Sequence, residues 1–166
     1  MRAFSQLLDG LVYTRSRNAK LKLIADYLHA TPDPDRGWAM AALTGALDLP
    51  SVKPAAIRGI VEERIDPARV AMSHDYVGEL SETVAHLWPG TPTDDELPAL
   101  SEVVHNLRHK PKADLPAYVA GLLDHMTSPE RWALLKIGTG SLRIGVSARL
   151  LKQVLEVAMP SARDKQ

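Results

Sequence analysis

The chain of 166 residues balances 20 basic against 20 acidic side chains and contains no cysteine. That length suits one domain with a sizeable core. The missing thiols exclude disulfides, thiolate chemistry and cysteine-held zinc, and the zero net charge excludes a uniformly basic nucleic-acid coat while leaving room for a local basic face.

Hydrophobic residues make up 45% of the chain but aromatics only 5%. The apolar mass is therefore Leu, Ala, Val and Ile, suited to helices packed on helices. The apolar run after Met1 is too short for a signal peptide, and none reaches membrane-spanning length, so a soluble cytoplasmic protein is expected.

Phe4, Leu7, Leu8, Leu11 and Val12 recur at the spacing of one helical face and predict a first helix from Arg2 to Val12. A second helix carries Leu21, Ile24, Ala25 and Leu28, with Ser16 or Asn18 as its cap. Thr31-Pro32-Asp33-Pro34 ends it, and Asp35 is expected to cap a third helix through Trp38, Ala41, Ala42 and Leu43. Pro54 opens a fourth helix, bearing Ile57, Ile60, Val61 and Ile65 inward. Asp66-Pro67 restarts a short helix to about Met72, and Ser73-His74-Asp75 connects it to one from Tyr76 to Trp88. The segment Pro89 to Pro98, with its prolines and acids, is expected to be the most mobile in the chain. Leu100, Val103, Val104 and Leu107 mark a further helix, and Asp114 with Pro116 starts the next. Ser128-Pro129-Glu130 reads as a capping hydroxyl, a proline and a first-turn acid. The last helix carries Val146, Leu150, Leu151, Val154, Leu155 and Ala158. No sustained period-two run occurs. The fold class is all-α: a single compact domain of about nine or ten helices over residues 1–160, with a polar tail or the start of a linker at 161–166.

Catalytic constellations are missing. His105 and His109 share a helical face, but two ligands are too few for zinc, and a solvated face explains them better. His74-Asp75 reads as a turn, and Glu62-Glu63 as partners of Arg58 and Arg64 on one helix. No serine stands in a strand–turn–helix context, and neither a P-loop nor a dinucleotide fingerprint occurs.

The stretch Lys136 to Ser147 (Lys-Ile-Gly-Thr-Gly-Ser-Leu-Arg-Ile-Gly-Val-Ser) is more informative. Glycines let a backbone approach something bulky, and Ser147 can cap the helix that follows, whose free N–H groups and dipole favour an anion. An ordinary helix–helix connection with a glycine stop fits the same pattern equally well. Arg15-Ser16-Arg17-Asn18-Ala19-Lys20 also crowds cations at a helix start, where each opposes the dipole by about 0.3–1 kcal/mol unless an anion is present. Lys53-Pro54 has the same character. Three such starts suit contacts to a phosphate backbone, which position a protein without reading base sequence.

The run Gly140-Ser141-Leu142-Arg143-Ile144-Gly145-Val146-Ser147 resembles the Gly-x-Leu-Arg-(Ile/Leu)-Gly-(Val/Leu) motif of ATP-dependent DNA ligases, within their amino-terminal, all-helical DNA-binding domain. Other blocks are similar to a bacterial branch of these enzymes and occur in the same order. They are Leu7 to Lys20, Thr31 to Trp38, Leu47-Asp48-Leu49-Pro50 with Lys53-Pro54, and Asp75 to Leu80.

The resemblance implies a noncatalytic domain that grips nicked double-stranded DNA across the minor groove, mainly through phosphates and sugars, in repair, replication or recombination. It places DNA contacts at Arg143, Gly145, Ser141, Ser147 and Gly140, and less directly at Lys53, Arg17, Asn18 and Lys20. Adenylation in the family needs Lys-x-(Asp/Asn)-Gly, and Lys112-Ala113-Asp114 is followed here by Leu115. This chain is thus expected to seal no nick alone and to carry no cofactor or metal. ATP and magnesium belong to the catalytic domains of the full-length ligase, which would act in cis or in trans and would begin near Gln166. A monomer without membrane contact is expected. The alternative is a helical protein-interaction module that does not bind DNA, favoured by the zero net charge.

Overall fold

The computed structural model describes residues 1–47, 49, 54–69, 80–140 and 142–158. Lys53, Ser141, His74-Asp75, the helix start at Tyr76 and the tail at 161–166 lie outside them. Nine helices can be bounded among the described residues, where residues 67–69 are helical as well and no strand occurs: α1 (Arg2–Tyr13), α2 (Arg17–Ala30), α3 (Asp35–Thr44), α4 (Pro54–Arg64), α5 (Leu80–Leu87), α6 (Leu100–His109), α7 (Leu115–Asp124), α8 (Ser128–Thr139) and α9 (Ala148–Ala158). The chain is all-α, as its periodicity predicts. No described helix is long and apolar enough to cross a membrane.

Helix α8 is the centre of the packing. It lies against α5 and α1, while α1 also meets α2, α2 meets α9, and α9 meets α3; α3 pairs with α6 and α4 with α7. Its buried set, Ala133, Leu134, Leu135, Ile137 and Gly138, covers more than one face, as a helix with neighbours on several sides requires. Phe4, Leu8, Ile24, Leu28, Leu100, Leu107, Leu123, Met126, Leu134, Leu135 and Leu151 are the largest fully buried side chains. Each such burial contributes roughly 1.5–3 kcal/mol.

Three start signals read differently in space. The cap of α8 is Thr127, not Ser128. Its hydroxyl accepts the Glu130 N–H, and the Glu130 carboxylate accepts the Thr127 N–H at 2.8 Å, a reciprocal capping box. Ser128 is already helical, because Pro129 with its fixed φ fits as the second helical residue. Asp35 likewise does not cap α3; Pro34 precedes that helix and Asp35 is its first residue. Its carboxylate instead accepts the Ser101 N–H at 2.9 Å, capping α6, whose own preceding residue Ala99 has no side-chain oxygen. Asp114 does precede α7 but makes no side-chain cap bond.

Two further expectations change. Val12 is 54% exposed rather than on the buried face of α1, because it falls where α1, α5 and α8 leave a groove between them. The proline-rich segment after α5 is tied down along its length. The Trp88 indole donates to Asp124 at 2.9 Å, Thr93 N–H donates to the His125 carbonyl, Arg2 donates to the carbonyls of Thr93 and Asp95, and Leu97 is buried.

Arg131, one residue past the capping box, is buried and joins three helices. Its Nε donates to the Leu123 carbonyl at 2.9 Å, and Nη1 donates to those of Trp88 at 3.1 Å and Ala85 at 3.5 Å. The guanidinium thus sits at the C-terminal ends of α5 and α7, where the helix dipoles favour a cation. Burial lowers its pKa, and the charges of Asp124 and Glu130 oppose that shift.

Candidate nucleic-acid interface

The glycine stretch leaves α8 through Gly140, whose φ of 70° is left-handed and whose N–H returns to Ile137 and Lys136. That is a C-terminal glycine stop. From Leu142 onward exposure alternates: Leu142 and Val146 are buried and Ile144 half-buried, whereas Arg143, Gly145 and Ser147 are exposed. The apolar members pack into the core or against it. The residues left facing solvent between Leu142 and Ser147 are three of the nine expected to touch DNA.

Gly145 has a φ of 76°, and a Cβ there would meet nothing within 4 Å. Backbone conformation, not crowding, requires the glycine. Arg143 folds its Nη1 back onto the carbonyls of Gly140 at 3.1 Å and Leu142 at 2.9 Å. One edge of the guanidinium is thus fixed against the end of α8 while the side chain stays exposed. Ser147 caps α9, its Oγ accepting the Leu150 N–H at 3.1 Å. Ser16 does the same for α2, accepting from Ala19 at 3.3 Å, which decides between Ser16 and Asn18.

Neither helix start carries an acid in its first turn. Helices α2 and α9 pack side by side, and an open cleft of about 400 Å³ between them is lined by Arg17, Asn18, Leu21, Lys22, Leu150, Gln153 and Val154. Lys20 is half-buried and does not line it. Arg143 and Gly140 line a separate small cleft, with Lys136, Leu142, Ala42 and Gly45, where the C-terminal ends of α8 and α3 meet. Of the predicted residues, Arg17 and Asn18 thus lie in one patch and Gly140 and Arg143 in another, and Gly145 and Ser147 lie on the stretch that joins them. Gly45 and Gln153 are not among the residues picked out from the sequence. The αL conformation of Gly45, φ 79°, gives it the same stop role on α3 that Gly140 has on α8.

Around these patches, Arg17, Lys20, Lys22, Arg143, Arg149 and Lys152 form no ion pair among the described residues; the ion pairs there use Arg2, Arg36 and Arg64. Burial lowers the Lys136 pKa, and the positive charge of Arg143 lowers it further. A bound anion would relieve that repulsion.

The histidine pair behaves differently. The rings of His105 and His109 lie 4.6 Å apart on α6, but no group of three or more His, Asp or Glu that could hold a metal ion forms among the described residues. No protein-family model matches this chain, and no curated protein is significantly similar to it.

Proposed function

We propose that the chain is a noncatalytic, sequence-independent DNA-binding domain of an ATP-dependent DNA ligase, which grips nicked duplex through its sugar–phosphate backbone. The observation that carries this reading is the alternating exposure from Leu142 to Ser147. Buried Leu142 and Val146 hold the turn in place and leave Arg143, Gly145 and the capped start of α9 at the surface. Cations without an ion pair among the described residues, at the start of α2 and along α9, extend the same chemistry. Backbone N–H groups and the helix dipole receive phosphate oxygens, the guanidinium supplies charge, and no base edge needs to be read. ATP and magnesium would serve catalytic domains acting in cis or in trans.

The test is fluorescence anisotropy of a labelled nicked duplex across a salt series. Affinity should fall steeply with salt, and Arg143→Ala should lower the log–log slope by about 0.9 if it removes one phosphate contact. The loss should be equal for unrelated base sequences. Absence of binding at low salt, or a loss that depends on base sequence, would overturn the proposal.

A further inference from the structure

With net charge zero, a basic surface on one part of the molecule leaves acids concentrated elsewhere. An open groove of about 340 Å³ runs between the C-terminal end of α1, α5 and the start of α8. Its walls include Asp9, Val12, Tyr13, Glu82, His86 and Trp132. Val12 and Tyr13 are 54% and 81% exposed, and they are the large hydrophobic side chains left exposed among the described residues. Both lie in the last turn of α1, so they make one apolar strip rather than scattered exceptions. Asp9 and Glu82 are exposed, form no ion pair among the described residues, and no Lys or Arg lines the groove. A second cleft of about 360 Å³ shares Asp9 and Pro129 and adds Asp94, which lengthens the acidic trough. Arg2 and Glu130 in that cleft neutralise each other at 2.7 Å.

We infer that this groove docks an arginine- or lysine-bearing segment of a protein partner, with an apolar side chain laid against Val12 and Tyr13. Carboxylates beside the exposed Tyr13 ring are complementary to a guanidinium, which bonds the one and stacks on the other, whereas the Trp132 ring already has the Lys136 Nζ 5.7 Å from its centroid. Phosphate would be repelled by the same carboxylates. The volume admits a few side chains of an extended or helical segment. Tyrosine, tryptophan and arginine are also the residues in which interface energy concentrates.

The experiment is a ¹⁵N–¹H titration of the full chain with two synthetic peptides, one alternating arginine and leucine and the other glutamate and leucine. The arginine peptide should shift Asp9, Val12, Tyr13, Glu82, His86 and the Trp132 indole, and the glutamate peptide should not. Reversing two exposed charges in Asp9→Lys/Glu82→Lys should weaken binding about tenfold, with circular dichroism unchanged, and Tyr13→Ala should weaken it independently. Shifts centred elsewhere, equal binding of both peptides, or an unaffected double variant would each overturn the inference. Sedimentation of the unlabelled chain separates the remaining occupant: a dimer dissolved by Asp9→Lys/Glu82→Lys would assign the groove to a second copy and overturn it.

Discussion

Arg2 and Glu130 stand 128 positions apart, yet the Arg2 Nε donates to the Glu130 Oε2 at 2.7 Å. Glu130 is buried, and its other oxygen closes the α8 capping box on Thr127. One carboxylate therefore starts the central helix and fastens the first helix to it. Through its remaining nitrogens Arg2 also holds the segment at Thr93 and Asp95.

That arrangement predicts an acid-sensitive fold. Burial pushes the Glu130 carboxyl upward, but the Thr127 N–H and the bond and charge of Arg2 outweigh it and hold the group below its ordinary value. A depressed carboxylate contributes stability that is present above its unfolded pKa, near 4.3, and lost as pH falls through the lower folded value. Urea midpoints should decline below about pH 4, and Glu130→Gln should flatten that limb while lowering stability at neutral pH.

Tyr27 sets the alkaline side. Burial pushes its hydroxyl up to about 12, against a hydrogen bond with Thr31 that lowers it. The ring also packs on Phe4, with centroids 6.1 Å apart. A raised folded value means stability fully present below pH 10 and lost as pH climbs toward 12. Tyr27→Phe should remove this loss, read from denaturation midpoints between pH 9 and 11.

Removing the three-helix clamp should be costly. Arg131→Ala would leave the buried carbonyl of Trp88 without its guanidinium donor and that of Leu123 with only the backbone N–H groups of His125 and Met126, and should destabilise the domain by about 3 kcal/mol. Gly90→Ala attacks the same junction from the other side. A Cβ there would lie 2.6 Å from the Asp124 carbonyl oxygen and 2.7 Å from the Arg131 Nη2. Because Asp124 contributes backbone, the helix end must move, at about 1–3 kcal/mol. Thermal melts of both variants check this.

Gly145→Ala isolates conformation from packing. With open space around the site, only the φ of 76° opposes the substitution. A loss of about 1 kcal/mol is expected, with a matching drop in nicked-duplex affinity if the turn meets phosphate.

The helices themselves were legible, because the forces that place them act over one to four residues. The spacing of Phe4, Leu7, Leu8 and Leu11 and the hydroxyl of Ser147 could be read directly, and the α2 cap could be narrowed to Ser16 or Asn18. So could the glycine stretch, since Gly140 and Gly145 announce backbone angles that other residues avoid. Chain order could not reveal that Asp35 caps a helix 66 positions away, that Arg131 closes two helix ends, or that Val12 faces a groove. It also mistook the segment from Pro89 to Pro98, whose proline content says nothing of Arg2 waiting across the fold.

The sequence by itself determined an all-helical chain and a glycine-flanked arginine turn leading into a capped helix. Tertiary structure alone decided which charges are neutralised. Glu130 and Arg131 are drawn into the core because helix ends and a partner ion receive them there. Arg143, Arg17, Asp9 and Glu82 stay at the surface without ion-pair partners among the described residues. An ion pair depends on distance in space, and that distance is set by how the helices pack rather than by their order along the chain.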